Sequence, residues 1–104
     1  MGMSSFGEYI RQLREETRMP LRKLAAIMDI DQSTLSKLER GERPVNRQVL
    51  PIIATTFHLD EKELIIKFMS HYVANQLVNE LYAQDILSAA CEEIKSLQAR
   101  PVTF

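Results

Sequence analysis

The chain has 104 residues, 45% hydrophobic and 26% charged, a composition that fits one soluble domain and excludes a disordered or membrane-embedded chain. Thirteen Lys and Arg against fourteen Asp and Glu give a formal net charge of −1, so overall charge does not advertise a nucleic-acid partner. A single cysteine excludes an internal disulfide and any multi-cysteine metal site. The average conceals a division, because residues 1–58 hold nine basic and seven acidic side chains whereas residues 59–104 hold four and seven. Apolar runs fall far short of the roughly 20 residues that span a bilayer. The lone thiol suits a reducing compartment, and no basic region followed by an apolar stretch opens the chain. A cytoplasmic protein without membrane contact is expected.

Apolar residues recur at three and four, and no strand-length alternation occurs, so an all-α fold is expected. Ser5 and Glu8 form a capping box that starts a first helix near Phe6. Phe6, Tyr9, Ile10 and Leu13 mark its inner face, and it ends near Thr17. Pro20 suits the first turn of a second helix, with Leu21, Leu24, Ala25 and Met28 inward. Asp31 caps a third helix that buries Leu35 and Leu38 and closes at Gly41. Asn46 caps a fourth, carrying Val49, Leu50, Ile53, Ala54 and Phe57, and Pro51 makes it start late or bend. Asp60 with Glu63 opens a long stretch in which Leu64, Ile65, Phe68, Met69, Tyr72, Val73 and Leu77 cover about half the helix circumference. A polar bend from Asn79 to Asp85 precedes a second face of Ile86, Leu87, Ala90, Cys91, Ile94 and Leu97, and Pro101 ends the order.

The stretch from Leu21 to Gly41 carries the function. Two short helices separated by a tight turn at Asp29-Ile30, both apolar on the inner side, make a helix-turn-helix. Such a unit leaves the outer face of its second helix free for the DNA major groove. That face is Gln32, Ser33 and Lys37, with Thr34 and Ser36 beside it, all able to hydrogen-bond base edges or phosphates.

On Phe6…Ile10-Arg11-Gln12-Leu13-Arg14, Leu24-Ala25, Ser33…Leu35-Ser36…Leu38-Glu39-Arg40-Gly41 and Leu50…Ile53-Ala54…Phe57, the chain resembles the phage-repressor-like, xenobiotic-response-element type of helix-turn-helix regulator. The resemblance covers roughly residues 6–59. It implies a five-helix repressor-like helix-turn-helix fold, with residues 1–59 as the DNA-binding domain and residues 60–104 expected as a helical dimerisation extension on the same core. It also implies base contacts from Gln32, Ser33 and Lys37, phosphate contacts near Thr34, Arg40 and Arg43, and a buried salt bridge between Arg14 and Glu39. Leu21 stands where the family has a polar phosphate-gripping residue, and Arg22 and Lys23 are the substitutes for that contact. Asp29 and His58 stand where glycine is common. The tail resembles short regulators encoded beside DNA methyltransferases, which implies a restriction–modification controller-like role.

Arg11 and Arg18 are expected to pair with glutamates of the first helix. His58 and His71 lack partners at ligand spacing, Cys91 on an apolar face reads as a buried small hydrophobe, and no catalytic constellation stands out. Neither a cofactor nor catalysis is expected. The face of Ile65, Phe68, Met69, Tyr72, Val73 and Leu77, continued by Ile86, Ala90 and Ile94, is too wide for one core and points to a homodimer. One recognition helix offers too few base contacts for genome-scale specificity, whereas a symmetric pair reads two half-sites. Double-stranded DNA and a second copy are therefore the expected partners, with RNA polymerase or a toxin as further candidates. The rival reading is an antitoxin-like interaction module whose C-terminal helices hold a partner protein.

Overall fold

A computed structural model describes residues 5–100, and all regular structure among them is helical. The helices are α1 (Phe6–Glu16), α2 (Leu21–Ile27), α3 (Gln32–Glu39), α4 (Leu50–Phe57), α5 (Glu61–Leu77) and α6 (Ala83–Gln98), with a 3-10 turn at Arg47–Val49. The chain divides into two compact units, residues 1–72 and 73–104. The division falls within α5, later than the expected boundary at residue 60, because Leu64 belongs to the first core and Ile65 and Phe68 pack against it.

The helix starts follow from their caps. Ser5 Oγ accepts the Glu8 N–H at 3.2 Å and Asp31 Oδ1 the Thr34 N–H at 2.7 Å. Asn46 Oδ1 accepts the Gln48 N–H at 2.8 Å and so caps the 3-10 turn rather than α4, whose start at Val49 has no side-chain cap. Each satisfies one of the backbone donors that a helix start leaves without an intrahelical acceptor. Pro51 sits in the first turn of α4, and the 3-10 turn before it absorbs the late start its ring imposes. Pro20 is the residue preceding α2 and makes no side-chain cap. At α5 the Asp60 carboxylate accepts from Lys62 N–H at 3.3 Å, one residue earlier than the expected capping box would bond.

Helix ends α1, α2 and α3 share one device. Backbone N–H groups of Arg18 and Met19 return to Glu15 and Arg14, those of Asp29 and Ile30 to Ala26 and Ala25, and those of Gly41 and Glu42 to Leu38 and Lys37. This is the Schellman pattern, which needs a left-handed residue just past the helix. Gly41 supplies it without penalty at φ 77°, but Arg18, Asp29 and, after α4, His58 adopt φ between 55° and 58° with a side chain attached. A left-handed L-residue costs about 1–2 kcal/mol, part of which is returned because glycine is also freer when unfolded by about 0.4–1 kcal/mol. His58→Gly is therefore expected to stabilise the chain by a few tenths to about 1 kcal/mol in urea unfolding, and Gly41→Ala, whose new Cβ would lie 3.1 Å from Ser5 Oγ, to destabilise it.

The core of the first unit is Phe6, Ile10, Leu24, Ala25, Met28, Leu35, Leu38, Leu50, Ile53, Ala54 and Leu64. Phe68 closes it with an edge-on contact to the Phe6 ring, centroids 5.1 Å apart, and the Lys67 ammonium lies 4.5 Å over the Tyr9 ring. The tightest approach is at Gly7. A Cβ there would fall inside the Leu38 carbonyl, with its carbon at 2.6 Å and Glu39 Cα at 3.3 Å, so α1 and α3 meet backbone to backbone. Alanine would gain about 1 kcal/mol of helix propensity but would push the two helices apart, a cost of about 1–3 kcal/mol or more. Gly7→Ala is expected to lower the denaturation midpoint despite its better propensity, and an unchanged or raised midpoint would refute this contact.

In the second unit, residues 73–100, no described residue is buried. Val78, Leu81 and Tyr82 in the turn are exposed, as are Ile86, Leu87, Ile94 and Leu97 on α6. Cys91, expected to be a buried hydrophobe, is exposed as well, because α6 has no core to enter. The expected stop at Pro101 lies outside the described residues.

Candidate nucleic-acid interface

The second helix of the candidate motif is held from behind. Leu35, Leu38 and Glu39 of α3 are buried, and at about 100° per residue Ser33, Lys37 and Arg40 lie on the opposite side, with Ser36 on their flank. Gln32, Ser33, Lys37 and Arg40 are exposed, and Thr34 and Ser36 are half-buried. The tight turn at Asp29 joins α2 to α3, and Ile30, half-buried, packs against the core.

Glu39 is the one buried ionic side chain among the described residues, and its partner explains why it can be there. Arg14 of α1 donates from Nε to Glu39 Oε2 at 2.8 Å and from Nη2 to Oε1 at 2.9 Å, the fork-on-fork geometry that satisfies both oxygens. Its third nitrogen, Nη1, donates to the Met19 carbonyl at 3.0 Å. One guanidinium thus fixes α1, the α1–α2 turn and α3 together, and the bonds to Glu39 hold the Arg14 pKa above its ordinary value.

At the other end of α3 the Asp31 carboxylate takes two donors on one oxygen, the Thr34 N–H at 2.7 Å and the Ser33 hydroxyl at 2.9 Å. Those bonds, chiefly from Thr34, hold its pKa below the usual carboxylate range, with the Arg43 charge adding to the effect.

The exposed cations differ in readiness. Arg40 is paired with Glu42 at 2.7 Å, so a phosphate would have to displace that carboxylate. Arg11 pairs with Glu15 at 2.6 Å within α1, as expected of it. Arg18 does not: it sits past the helix end in the left-handed region and makes no ion pair among the described residues. Arg22, Lys23, Lys37, Arg43 and Arg47 are exposed and likewise make no ion pair among the described residues. On α2, α3 and the following loop these cations and Arg40 outnumber Asp29, Asp31 and Glu42, which concentrates positive charge where the chain as a whole is nearly neutral.

Of the residues expected on a dimer face, Ile65 and Phe68 are half-buried against the core of their own chain. Met69, Tyr72, Val73, Ile86 and Ile94 are exposed, and Leu77 and Ala90 are partly covered. Gly7 is the positioning residue that sequence reasoning missed. A glycine inside the first turn of a strongly patterned helix, where it weakens the helix, is the signal that could have found it.

Two short helices packed through a tight turn, the second presenting a polar outer face beside a basic loop, define a helix-turn-helix unit. A family model described as a helix-turn-helix domain matches residues 5–64, more than half of the chain, and the chain belongs to that family. No curated protein and no solved structure matches the chain. Membership supports a DNA-binding regulator. No helix among the described residues is long and apolar enough to cross a membrane, and no group of three or more His, Cys, Asp or Glu among them could hold a metal ion.

Proposed function

We propose that this protein is a sequence-specific, double-stranded DNA-binding transcriptional regulator that acts as a homodimer on a palindromic operator. α3 lies in the major groove with Gln32, Ser33 and Lys37 toward the bases, while Thr34, Arg22, Lys23, Arg40 and Arg43 meet phosphates. The observation that carries this reading is the two-sidedness of α3. Its inner side is clamped by Leu35, Leu38 and the Arg14–Glu39 pair, while its outer side is polar, exposed and flanked by cations that make no ion pair among the described residues. Such a rigid mount under an exposed polar face is what base reading needs. The protein is read as cytoplasmic and non-catalytic, and a restriction–modification operon is one circuit such a small regulator would serve.

The homodimer rests on the second unit. A helix of α6's length is marginal in water without packing, and its apolar side chains are exposed in the isolated chain. A second copy would cover them and supply the second half-site, about 34 Å along the duplex. The same exposure fits the rival reading, an antitoxin-like module that folds its tail onto a partner protein. Sedimentation of the purified full chain separates them: a dimer supports the first, and a monomer that gains tail helicity only with a co-purified partner supports the second.

Mobility-shift titration against a randomised duplex pool tests the DNA reading. Gln32→Ala with Lys37→Ala is expected to remove most of the preference among sequences, leaving what Ser33 contributes, and wild-type affinity to fall steeply with salt because phosphate contacts release counterions. Loss of Lys23 or Arg43 should each flatten the salt slope by about one unit. Selectivity untouched by the double substitution would remove α3 from the interface.

A further inference from the structure

Resting on the proposed placement of α3 in the major groove, we infer that Ser33 and Asp31 act together as an acceptor-only pair that selects an amino-bearing base, adenine or cytosine, on the contacted strand. A free serine hydroxyl is ambivalent, donating one hydrogen and accepting through its lone pairs, so it discriminates poorly among base edges. Ser33 is not free in that sense. Its Oγ lies 2.9 Å from Asp31 Oδ1, and an ionised carboxylate can only accept, so the shared hydrogen belongs to the serine. With that hydrogen directed at Asp31, Ser33 can offer only lone pairs to the outside.

The carboxylate is itself held in place by the Thr34 N–H at 2.7 Å, and an aspartate is ionised at neutral pH, so the hydrogen of the Ser33 bond comes from the serine. Both side chains are exposed on the N-terminal end of α3, the end that reaches base edges in this docking mode. The major-groove edge of each base pair carries one amino group, N6 of adenine or N4 of cytosine, facing O4 of thymine or O6 of guanine on the other strand. Two acceptors attract the amino group and repel the carbonyls. The neighbours do not cancel this preference: the Gln32 amide both donates and accepts, and Lys37, a pure donor one turn on, favours guanine N7 and O6 at a different step.

The experiment is selection of bound duplexes from a randomised pool by the full-length wild type, Ser33→Ala and Asp31→Gly. Glycine replaces an N-cap with a loss of only a few tenths of a kcal/mol, and thermal melts confirm that each variant is folded. The position that Ser33 reads is the one whose profile Ser33→Ala changes. There the wild type is expected to favour pairs with adenine or cytosine on one strand over the reversed pairs by about three- to tenfold, the worth of one net hydrogen bond. Asp31→Gly frees the serine hydrogen and should admit thymine and guanine at that position alone. A folded Asp31→Gly variant with the wild-type profile would overturn the inference while leaving DNA recognition by α3 intact. A wild-type profile there that does not distinguish a base pair from its reverse would overturn it equally, as would a Ser33→Ala profile that changes nowhere. Absence of any sequence preference in the wild type would instead overturn the proposed DNA reading, and this inference with it.

Discussion

Arg14→Ala is expected to destabilise the first unit by about 3–5 kcal/mol, because it leaves the Glu39 carboxylate buried without its partner. Glu39 is only 4% exposed and the Arg14 side chain 15%, so neither oxygen of the carboxylate can recover its lost donors from solvent without local opening. Glu39→Ala should cost less, since the more exposed guanidinium can turn toward water and retains the Met19 carbonyl as an acceptor. The asymmetry distinguishes a buried pair from an exposed one, where removal of either end costs about 0–1 kcal/mol. Replacing both residues together, Arg14→Met with Glu39→Leu, should recover most of the loss, because apolar groups of similar volume need no partner. Urea titrations of the wild type, Arg14→Met, Glu39→Leu and the Arg14→Met, Glu39→Leu pair give a double-mutant cycle, and a cost below about 1 kcal/mol for Arg14→Ala would mean that the pair behaves as a surface contact. Since a small domain has only about 5–15 kcal/mol in total, the pair is a large fraction of what keeps α3 mounted.

The mount was legible in the sequence to an uneven degree, and the reasons are physical. Cap residues act through their own backbone neighbourhood, so Ser5, Asp31 and Asn46 could be read from local spacing, and each accepts the N–H of a nearby residue. Gly41 closes α3 in the left-handed turn its position suggests. The strained ends at Asp29 and His58 could be read only as glycine positions occupied by something else. Arg18 carries the same backbone, yet nothing in an arginine's chemistry marks it. Gly7 was opaque because its role lies in another helix: the Leu38 carbonyl that excludes a Cβ is distant in sequence and adjacent only after folding. Cys91 fails for the opposite reason. Its helical spacing implies burial, but periodicity tells which side of α6 is apolar and not whether anything covers it, and within one chain nothing buries it. Ile65 and Phe68 show the converse, since an apolar stripe along α5 serves the chain's own core at its start and is exposed at Tyr72 and Val73.

That exposure leads to the second large effect, on DNA affinity rather than stability. Ile86→Asp with Ile94→Asp is expected to convert the proposed dimer to a monomer at micromolar concentration and to weaken operator binding by at least about 100-fold. Ile86, Ala90, Ile94 and Leu97 fall within about 80° of one another around α6, and the three large side chains among them are 39–52% exposed in the single chain. A fully buried aliphatic side chain contributes about 1.5–3 kcal/mol, and a two-fold interface counts each contact twice, so two buried carboxylates would remove more than a small interface can lose. Neither Ile86 nor Ile94 is a member of the core formed by Phe6 to Leu64, and the melting of the first unit and its weak binding to an isolated half-site should be preserved. The affinity loss follows from tethering: joining two binding modules raises avidity by about 10²–10⁴ without a new contact, and the monomer forfeits that factor. Sedimentation and mobility-shift titration on full and half operators measure both quantities. A doubly substituted chain that stays dimeric would place the self-association surface elsewhere, and one that becomes monomeric yet binds the full operator undiminished would show that the second copy adds nothing to recognition.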